Sequence, residues 1–416
     1  MDKEKREKVI LHMDGDAFFV AVEMAKDPSL KGKAVVTGQE RGIVSALSYE
    51  AKALGITRTM SIYSVRKNYP EVIVLSGDYA SYAQYSKKMF DIVRGYADDV
   101  EEYSIDECFA DLTGLDKPLK LSYLEIAKKI QEEIRNELDL SVTIGLAPNK
   151  VLAKVASKWQ KPNGLTCITL ENKDEFLKSF PVEKIWGIGK SMYSSLKNEK
   201  IFTAKDFCNV DEKYIVSHFS KPYHDIWREL QGKYVMHLDG SQKTEYSSVQ
   251  KTETFHPATN EKKFLLQELS VHIEDACDKA RRYNLYPKKI SFFLKNQRME
   301  YTHCQFTLAK AINVPEEIIK LVTEKFEEVY TKGVLYRASG VTLMGLHELN
   351  TAQSSLFDDL ETKQESKAER FEALHKELDK LDEKFGKKLV GLASTSGVKK
   401  SRLQGKEEID RNILFL

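Results

Sequence analysis

The chain has 416 residues and is nearly neutral, with 64 Lys and Arg against 63 Asp and Glu; 42% of it is hydrophobic and 31% charged, the composition of a water-soluble globular protein of two to four domains. It lacks the apolar run of roughly 18 residues that a membrane span needs, and its charged start, Met1-Asp2-Lys3-Glu4-Lys5-Arg6, is unlike a secretory leader. Five cysteines (Cys108, Cys167, Cys208, Cys277, Cys304) form no CxxC pair, which speaks against zinc and for a reducing, cytoplasmic compartment. With a net charge of +1, nucleic-acid binding has to rest on local clusters.

Residues 9–13 read as a short buried strand that ends in Asp14-Gly15-Asp16, and a helix follows from Phe18 until Asp27-Pro28 breaks it. Residues 34–37 and 43–47 read as strands around a glycine-bounded turn. A helix from Tyr49 stops at Gly55 and carries Tyr49 and Lys52 on one face. Residues 72–75 read as a strand and 79–96 as a helix striped by Met89, Ile92 and Val93. Residues 100–112 read as one apolar, buried strand, and inside it stand Ser104-Ile105-Asp106-Glu107. Helix 121–138, alternating strand 142–147, helix 149–158, the tight turn Lys161-Pro162-Asn163-Gly164 and strand 165–170 complete a mixed sheet with helices packed on it.

A buried carboxylate is costly unless it is paired or binds a metal. Each acidic cluster alone also reads as a turn cap, since Asp-Gly forms turns. Two clusters at strand margins, about ninety residues apart, point instead to one site assembled in space from hard oxygen ligands that suit Mg²⁺ and phosphate chemistry.

Further on, Ile185-Trp186-Gly187-Ile188-Gly189-Lys190 leads into a helix, 191–199. Its glycines offer backbone N–H groups to an anion such as a nucleic-acid phosphate, with a plain helix-to-helix turn as the alternative. Residues 239–250 turn polar and read as a linker. Strand 247–254, helix 261–283, strands 289–295 and 302–308, helix 315–330 and strand 335–343 then describe a compact α+β domain. Within it, Arg281, Arg282, Lys288, Lys289 and Lys295 interleave with Tyr283, Tyr286 and Phe292 and contain no acid, which suits backbone phosphates or a solvated face. Residues 349–416 read as a partly ordered tail with Gln353-Ser354-Ser355-Leu356-Phe357 and an amphipathic helix of Phe371, Leu374, Leu378, Leu381 and Phe385.

Four motifs, His12-Met13-Asp14-Gly15-Asp16-Ala17-Phe18-Phe19, Tyr49-Glu50-Ala51-Lys52, Ser104-Ile105-Asp106-Glu107 and Lys161-Pro162-Asn163-Gly164, stand in the order and spacing of Y-family DNA polymerases. Over residues 8–348 the chain resembles the DinB, or DNA polymerase IV, branch of that family. The resemblance implies an α+β multidomain right hand: palm 8–17 and 85–172, small fingers 18–84, helical thumb 173–240, linker 241–247, α+β little finger 248–348 and tail 349–416. It implies template-directed, low-fidelity translesion synthesis by two-metal nucleotidyl transfer from a dNTP to the primer 3′-hydroxyl, without proofreading.

Carried over by position, Asp14, Asp106 and Glu107 are the catalytic carboxylates, which with the Gly15 carbonyl hold two Mg²⁺ ions. Phe18 and Phe19 border the nucleotide, Phe19 as the steric gate, and Tyr49, Lys52 and Lys161 contact the triphosphate. Gly187, Gly189 and Lys190 resemble the thumb's contact to DNA backbone, and Gln353, Leu356 and Phe357 the peptide that enters the sliding clamp. Primer-template DNA, dNTP and the clamp are then the partners of a monomer that does not bind membranes.

Lys52 stands where the family usually has Arg, and Ala46 where the DinB branch usually has Thr; Glu50 to Gly55 looks more like the UmuC branch. The alternatives are a UmuC-like subunit dependent on partners, a clamp- or DNA-binding protein with a weakened polymerase site, and a Mg²⁺ nuclease, for which no well-placed His stands beside the acids.

Overall fold

The structure, a computed structural model, describes residues 7–241, 246–348, 367–385, 388, 390–396 and 414–415. The chain divides into two compact units, Met1–Ser241 and Gln242–Leu416. Among the described residues no helix is long and apolar enough to cross a membrane.

In the first unit β1 (Ile10–Gly15) is buried along its whole length and runs into α1 (Phe18–Lys26). A small layer follows from β2 (Val35–Thr37), β3 (Ala46–Leu47), α2 (Tyr49–Ala53), α3 (Ile62–Asn68) and β4 (Ile73–Leu75). Its strands lie in the order β3-β2-β4 over Val36, Val44, Ala51, Ile62 and Val65. The predicted strand 43–47 shrinks to two residues, because Ile43 makes only an isolated bridge to Ser61.

α4 (Tyr79–Arg94) leads to a hairpin of β5 (Val100–Glu102) and β6 (Glu107–Asp111), and α5 (Asp116–Leu119) follows. α6 (Tyr123–Leu138) starts at a capping box between Ser122 and Glu125 and buries Ile126, Ile130, Ile134 and Leu138, one turn apart. β7 (Val142–Ala147), α7 (Lys150–Ala156) and β8 (Leu165–Cys167) complete a five-stranded sheet ordered β5-β6-β1-β7-β8. It is the mixed sheet expected: β1 pairs antiparallel with β6 and β7, and β8 is parallel to β7.

Residues 100–112 are not one strand. The Tyr103 and Ser104 N–H groups both donate to the Glu107 carbonyl (3.0 and 3.1 Å), and Ser104 Oγ donates to Asp106 Oδ1 at 2.6 Å. These local bonds give the backbone a turn in place of a ladder. Asp106 therefore sits on a hairpin turn, half-buried, and not in a buried strand.

Beyond the sheet the first unit is helical, with α8 (Lys173–Ser179), α9 (Lys190–Asn198), α10 (Ala204–Cys208), α11 (Glu212–His218) and α12 (Lys221–Leu230). A polar joint ties α12 to α7. Asn149 caps α7 by accepting from Leu152 N and donates through Nδ2 to the Glu229 carbonyl at 2.7 Å. The buried Glu229 carboxylate accepts from the backbone N–H groups of Val151, Val235 and Met236 (2.9, 3.1 and 2.7 Å).

The second unit holds β9 (Ser248–Thr259), α13 (Lys262–Arg282), β10 (Leu285–Asn296), β11 (Tyr301–Thr307), α14 (Pro315–Glu324) and β12 (Tyr336–Glu348). Its antiparallel sheet runs β11-β10-β12-β9. Ile290, Phe292, Leu294, Val341 and Leu343 alternate onto the face that buries Leu265, Leu269 and Ile273 of α13.

The predicted tail helix forms as α15 (Lys367–Phe385), but polar groups hold it. Arg281 grips Asp379 with Nε and Nη2 (2.7 and 3.0 Å), Tyr286 donates to Glu372 at 2.7 Å, and His375 meets Glu316 at 2.9 Å. Of its apolar stripe, Leu374, Leu381 and Phe385 are exposed. Gln353, Leu356 and Phe357 lie outside the described residues, as does part of the expected linker.

Candidate active site

The site forms where β1 ends beside the start of β6. The ladder sets Asp14 directly opposite Glu107, and Gly15 N–H donates to the Asp106 carbonyl at 2.9 Å. A Cβ at Gly15 would lie 3.2 Å from the Phe18 ring, a tight contact, and 3.4 Å from Asp106 Cβ, so the acidic turn packs closely against the end of β1. The chain then reverses through Ala17, whose φ of 49° is left-handed, to start α1.

Asp14 is buried (8% exposed), while Asp106 and Glu107 are half-buried. Burial, reinforced by the Glu107 carboxylate, pushes Asp14 up to about 6 against the pull of the Lys161 ammonium. Lys161 forms an ion pair with Asp14, and Lys154 pairs with Glu107 at 2.8 Å. Among the described residues no group of three or more His, Cys, Asp or Glu side chains forms a ready-made metal cage. His12 lies away from the acids: it is fully buried, against Phe109, with Nδ1 2.7 Å from Ser157 Oγ.

Asp16 is the residue that sequence reasoning passed over. Only 3% exposed, it accepts from Ser141 Oγ (2.7 Å), Thr143 Oγ1 (2.8 Å) and the Asn163 N–H (2.7 Å), and weakly from Tyr49 OH (3.5 Å). One buried carboxylate thus ties β1 to β7, to the turn that carries Lys161 and to the head of α2. Burial, then the Asp16 and Asp14 charges, holds the Tyr49 phenol well above its ordinary value, so it stays a neutral donor. An acid between a glycine and a helix start was the available signal, but its partners come from segments about 125 residues downstream.

Tyr49 and Lys161 therefore converge on the Asp14 and Asp16 carboxylates, and Lys52, exposed, rests over the Tyr49 ring at 5.9 Å. Phe19 stacks on Tyr82 with centroids 4.4 Å apart and planes 11° from parallel, and meets the edge of Tyr79. Tyr82 is itself fixed by its hydroxyl on Glu23 at 2.7 Å. Phe18, expected beside Phe19 at the nucleotide, points the other way: it is 3% exposed, in the core with Met13, Met89 and Phe90.

Gly187 (φ 89°) and Gly189 are exposed, and Gly189 caps the start of α9 ahead of Lys190. In the second unit the basic residues part company. Lys289 and Lys295 project from β10 on the face away from the core, together with Phe293; Lys295 lies 4.6 Å from the Tyr301 ring, and Arg282 is exposed at the end of α13. Arg281 is nearly buried and held by Asp278 and Asp379, and Lys288 donates to the Ala309 carbonyl, so neither stands ready for a phosphate. Their place in the sequence did not reveal this, because the partner acid of Arg281 lies 98 residues away on α15.

Comparison with known proteins gives the family. The impB/mucB/samB family model matches residues 13–158, and the model of that family's C-terminal domain matches residues 246–356. The chain is 30% identical over 404 residues, 96% of each chain, to DNA polymerase IV 1 of Bacillus subtilis (strain 168). It is 33% identical over 343 residues, 81% of this chain and 93% of the relative, to DNA polymerase IV of Lactococcus lactis subsp. cremoris (strain MG1363). Among solved structures it is similar to an insertion ternary complex of Dbh DNA polymerase, with 25% identity, a TM-score of 0.54, and 82% of this chain and 99% of that one covered. Its fold is similar to a Y-family polymerase chimera of Dbh and Dpo4, with a TM-score of 0.68, 24% identity and the same coverage. By its motifs, its fold and its relatives, the chain belongs to the Y family of DNA polymerases and is a translesion DNA-directed DNA polymerase.

Proposed function

We propose that this polymerase transfers the nucleotidyl group of a dNTP to a primer 3′-hydroxyl, with pyrophosphate leaving, at Asp14, Asp106 and Glu107. The observation that carries this is the cross-strand pairing of Asp14 with Glu107, with Asp106 pinned beside them by Gly15 N–H and with Lys161 and Tyr49 within reach.

The residues fit Mg²⁺. Carboxylates and the Gly15 carbonyl are hard oxygen donors, and the Asp14 and Glu107 carboxylates already carry ammonium ions, so the site accommodates cationic charge. When bound, two Mg²⁺ ions neutralise the triphosphate and lower the pKa of the primer hydroxyl. The chain's own part is positioning. An incoming triphosphate, more negative than one carboxylate, draws Lys161 from Asp14, and that carboxylate is then free to act as a ligand. Tyr49 donates its hydroxyl, and Lys52 adds a point charge where an Arg fork would grip with two bonds. The Phe19 ring, braced by Tyr82, offers a flat wall to the sugar and leaves no room for a ribose 2′-hydroxyl.

Gly187, Gly189 and Lys190 bind backbone phosphate at the start of α9 in the thumb, 173–240. Lys289, Lys295 and Arg282, with Phe293 and Tyr301, do so on the open face of the little finger, 248–348. Gln353, Leu356 and Phe357 dock the protein, a cytoplasmic monomer, on the sliding clamp. The test is primer extension with dNTPs and Mg²⁺ beside the Asp106→Ala, Glu107→Ala double variant. Short distributive products that vanish in the variant support the reading. Extension that survives removal of both carboxylates refutes it.

A further inference from the structure

Lys150 and Lys154 stand one turn apart on α7, and both are nearly buried, 5% and 6% exposed. Lysines are rarely buried without a partner, and here each has an acid of the hairpin. Lys150 holds Glu101 at 2.6 Å, and Lys154 holds Glu107 at 2.8 Å. Above the two ammonium groups lies Trp186, the residue immediately before Gly187. Its ring is 5.8 Å from Lys150 Nζ and 5.3 Å from Lys154 Nζ. Its indole Nε1 donates to Tyr103 OH at 2.8 Å, and the Tyr103 ring stands 4.2 Å from Lys154 Nζ. Phe109 closes the back, 5.6 Å from Trp186 and 5.9 Å from Tyr103. Lys154 thus sits between the Glu107 carboxylate and the Tyr103 and Trp186 rings, while the Phe109 ring lies 4.9 Å from Lys150 Nζ. A cation held over ring faces and away from water has a fixed position, and so does the carboxylate bonded to it.

We propose that Trp186, with Tyr103, is a positioning residue for Glu107, acting through Lys154. The segment that starts the thumb's glycine turn thereby sets the place of a palm carboxylate. This rests on Glu107 being a catalytic ligand. Nothing in the reaction itself requires a tryptophan here; the packing around Lys154 supplies the reason for one. Its function is geometric, because a ligand set loosened by even half an ångström loses rate.

The experiment uses the full chain as wild type, Trp186→Leu, Trp186→Phe, Lys154→Met, the Trp186→Leu, Lys154→Met double variant, and Glu107→Ala. Three quantities are read: the maximal single-turnover rate at saturating primer-template and dNTP, the Kd for primer-template DNA, and Mn²⁺ binding to the DNA-free protein by electron paramagnetic resonance. Trp186→Leu is expected to lower the rate about tenfold and weaken Mn²⁺ binding severalfold, with DNA affinity within about twofold of wild type. Lys154→Met should show the same loss of rate, and the double variant should be no slower than either single one, as for residues acting in one chain; Mn²⁺ binding is compared among the Trp186 variants, because removing an ammonium beside Glu107 by itself favours a cation. Trp186→Phe, which keeps a ring and loses the hydrogen bond, should fall between wild type and Trp186→Leu, and it decides the matter if Trp186→Leu does not fold. The proposal is overturned if the Trp186 variants weaken DNA binding and leave rate and Mn²⁺ affinity unchanged, or if the two defects multiply in the double variant. If Glu107→Ala changes neither rate nor Mn²⁺ binding, the reading of Glu107 fails instead.

Discussion

Phe19 and Asp16 stand three residues apart and do different work. Phe19 presents a ring held by Tyr82 and Tyr79, and the steric gate proposed for it rests on its bulk. Phe19→Ala should raise ribonucleotide incorporation relative to deoxyribonucleotide by about a hundredfold or more, since a steric wall is the main barrier to an added hydroxyl; the ratio of single-nucleotide insertion efficiencies with rNTP and dNTP measures it. Asp16 holds other residues. In Asp16→Asn the amide nitrogen meets donors, and the Asn163 N–H cannot turn to accept. The variant should raise KM for dNTP about tenfold, the cost of one or two hydrogen bonds at the Lys161 turn, and lower kcat less. A large loss of kcat with KM unchanged would place Asp16 among the reacting groups.

At the level of elements, α7 joins three others. Its start is capped by Asn149 and by the Glu229 carboxylate of α12, and its lysines reach the hairpin. Burial raises the Glu229 carboxyl above its usual range, although three backbone N–H groups and Lys150 oppose this. Glu229→Gln should cost about 1–3 kcal/mol, because the amide cannot accept from all three N–H groups and leaves a buried donor unmet; urea unfolding of the full chain reads it. A change below a few tenths of a kcal/mol would mean that the joint relaxes around the substitution. The hairpin teaches a related point. Val100 to Leu112 looks continuous by hydrophobicity, yet Ser104 and Asp106 bond to each other and turn the chain, which puts Asp106 on the turn and leaves Glu107 at the start of β6.

At the scale of the molecule, each unit has a core of its own. Calorimetry should therefore resolve two transitions, and a single cooperative peak would show that the units stabilise each other. The second unit carries the polar docking of α15. There burial pushes Asp278 up, but Lys388 and Arg281 outweigh it and hold its carboxyl below the ordinary value. A depressed carboxylate adds stability that is complete above its unfolded pKa of about 3.9 and is lost as pH falls through the lower folded value. The transition of this unit should thus weaken below about pH 4. In Lys388→Met the carboxylate has lost one cation, so its folded value moves up toward the unfolded one and the stability lost in acid should be smaller. An unchanged acid limb in that variant would remove Lys388 from the account.

Much of this was legible in the chain itself. Asp14, Asp106, Glu107, Phe19 and the Lys161 turn stand out because they occur as particular residue types in the order and spacing of a family's motifs, and a short apolar run and amphipathic spacing located β1 and α6. Burial and long-range pairing were not legible. Phe18 and Phe19 are adjacent and equivalent in sequence, yet one is buried in the core and the other is half-buried and stacked on Tyr82, because helix geometry separates neighbours by about 100°. Arg281 and Lys289 look alike in a basic run, but a carboxylate 98 residues away claims the first. Asp16 gains its meaning from Ser141, Thr143 and Asn163, and Trp186 from Tyr103 and Lys154, contacts that exist only once distant strands and helices have closed on each other. The sequence by itself determined the family and the polymerase chemistry and named the candidate site residues; the tertiary structure alone decided which charges are paired and which residues hold the candidates in place, because both depend on partners that local pattern cannot name.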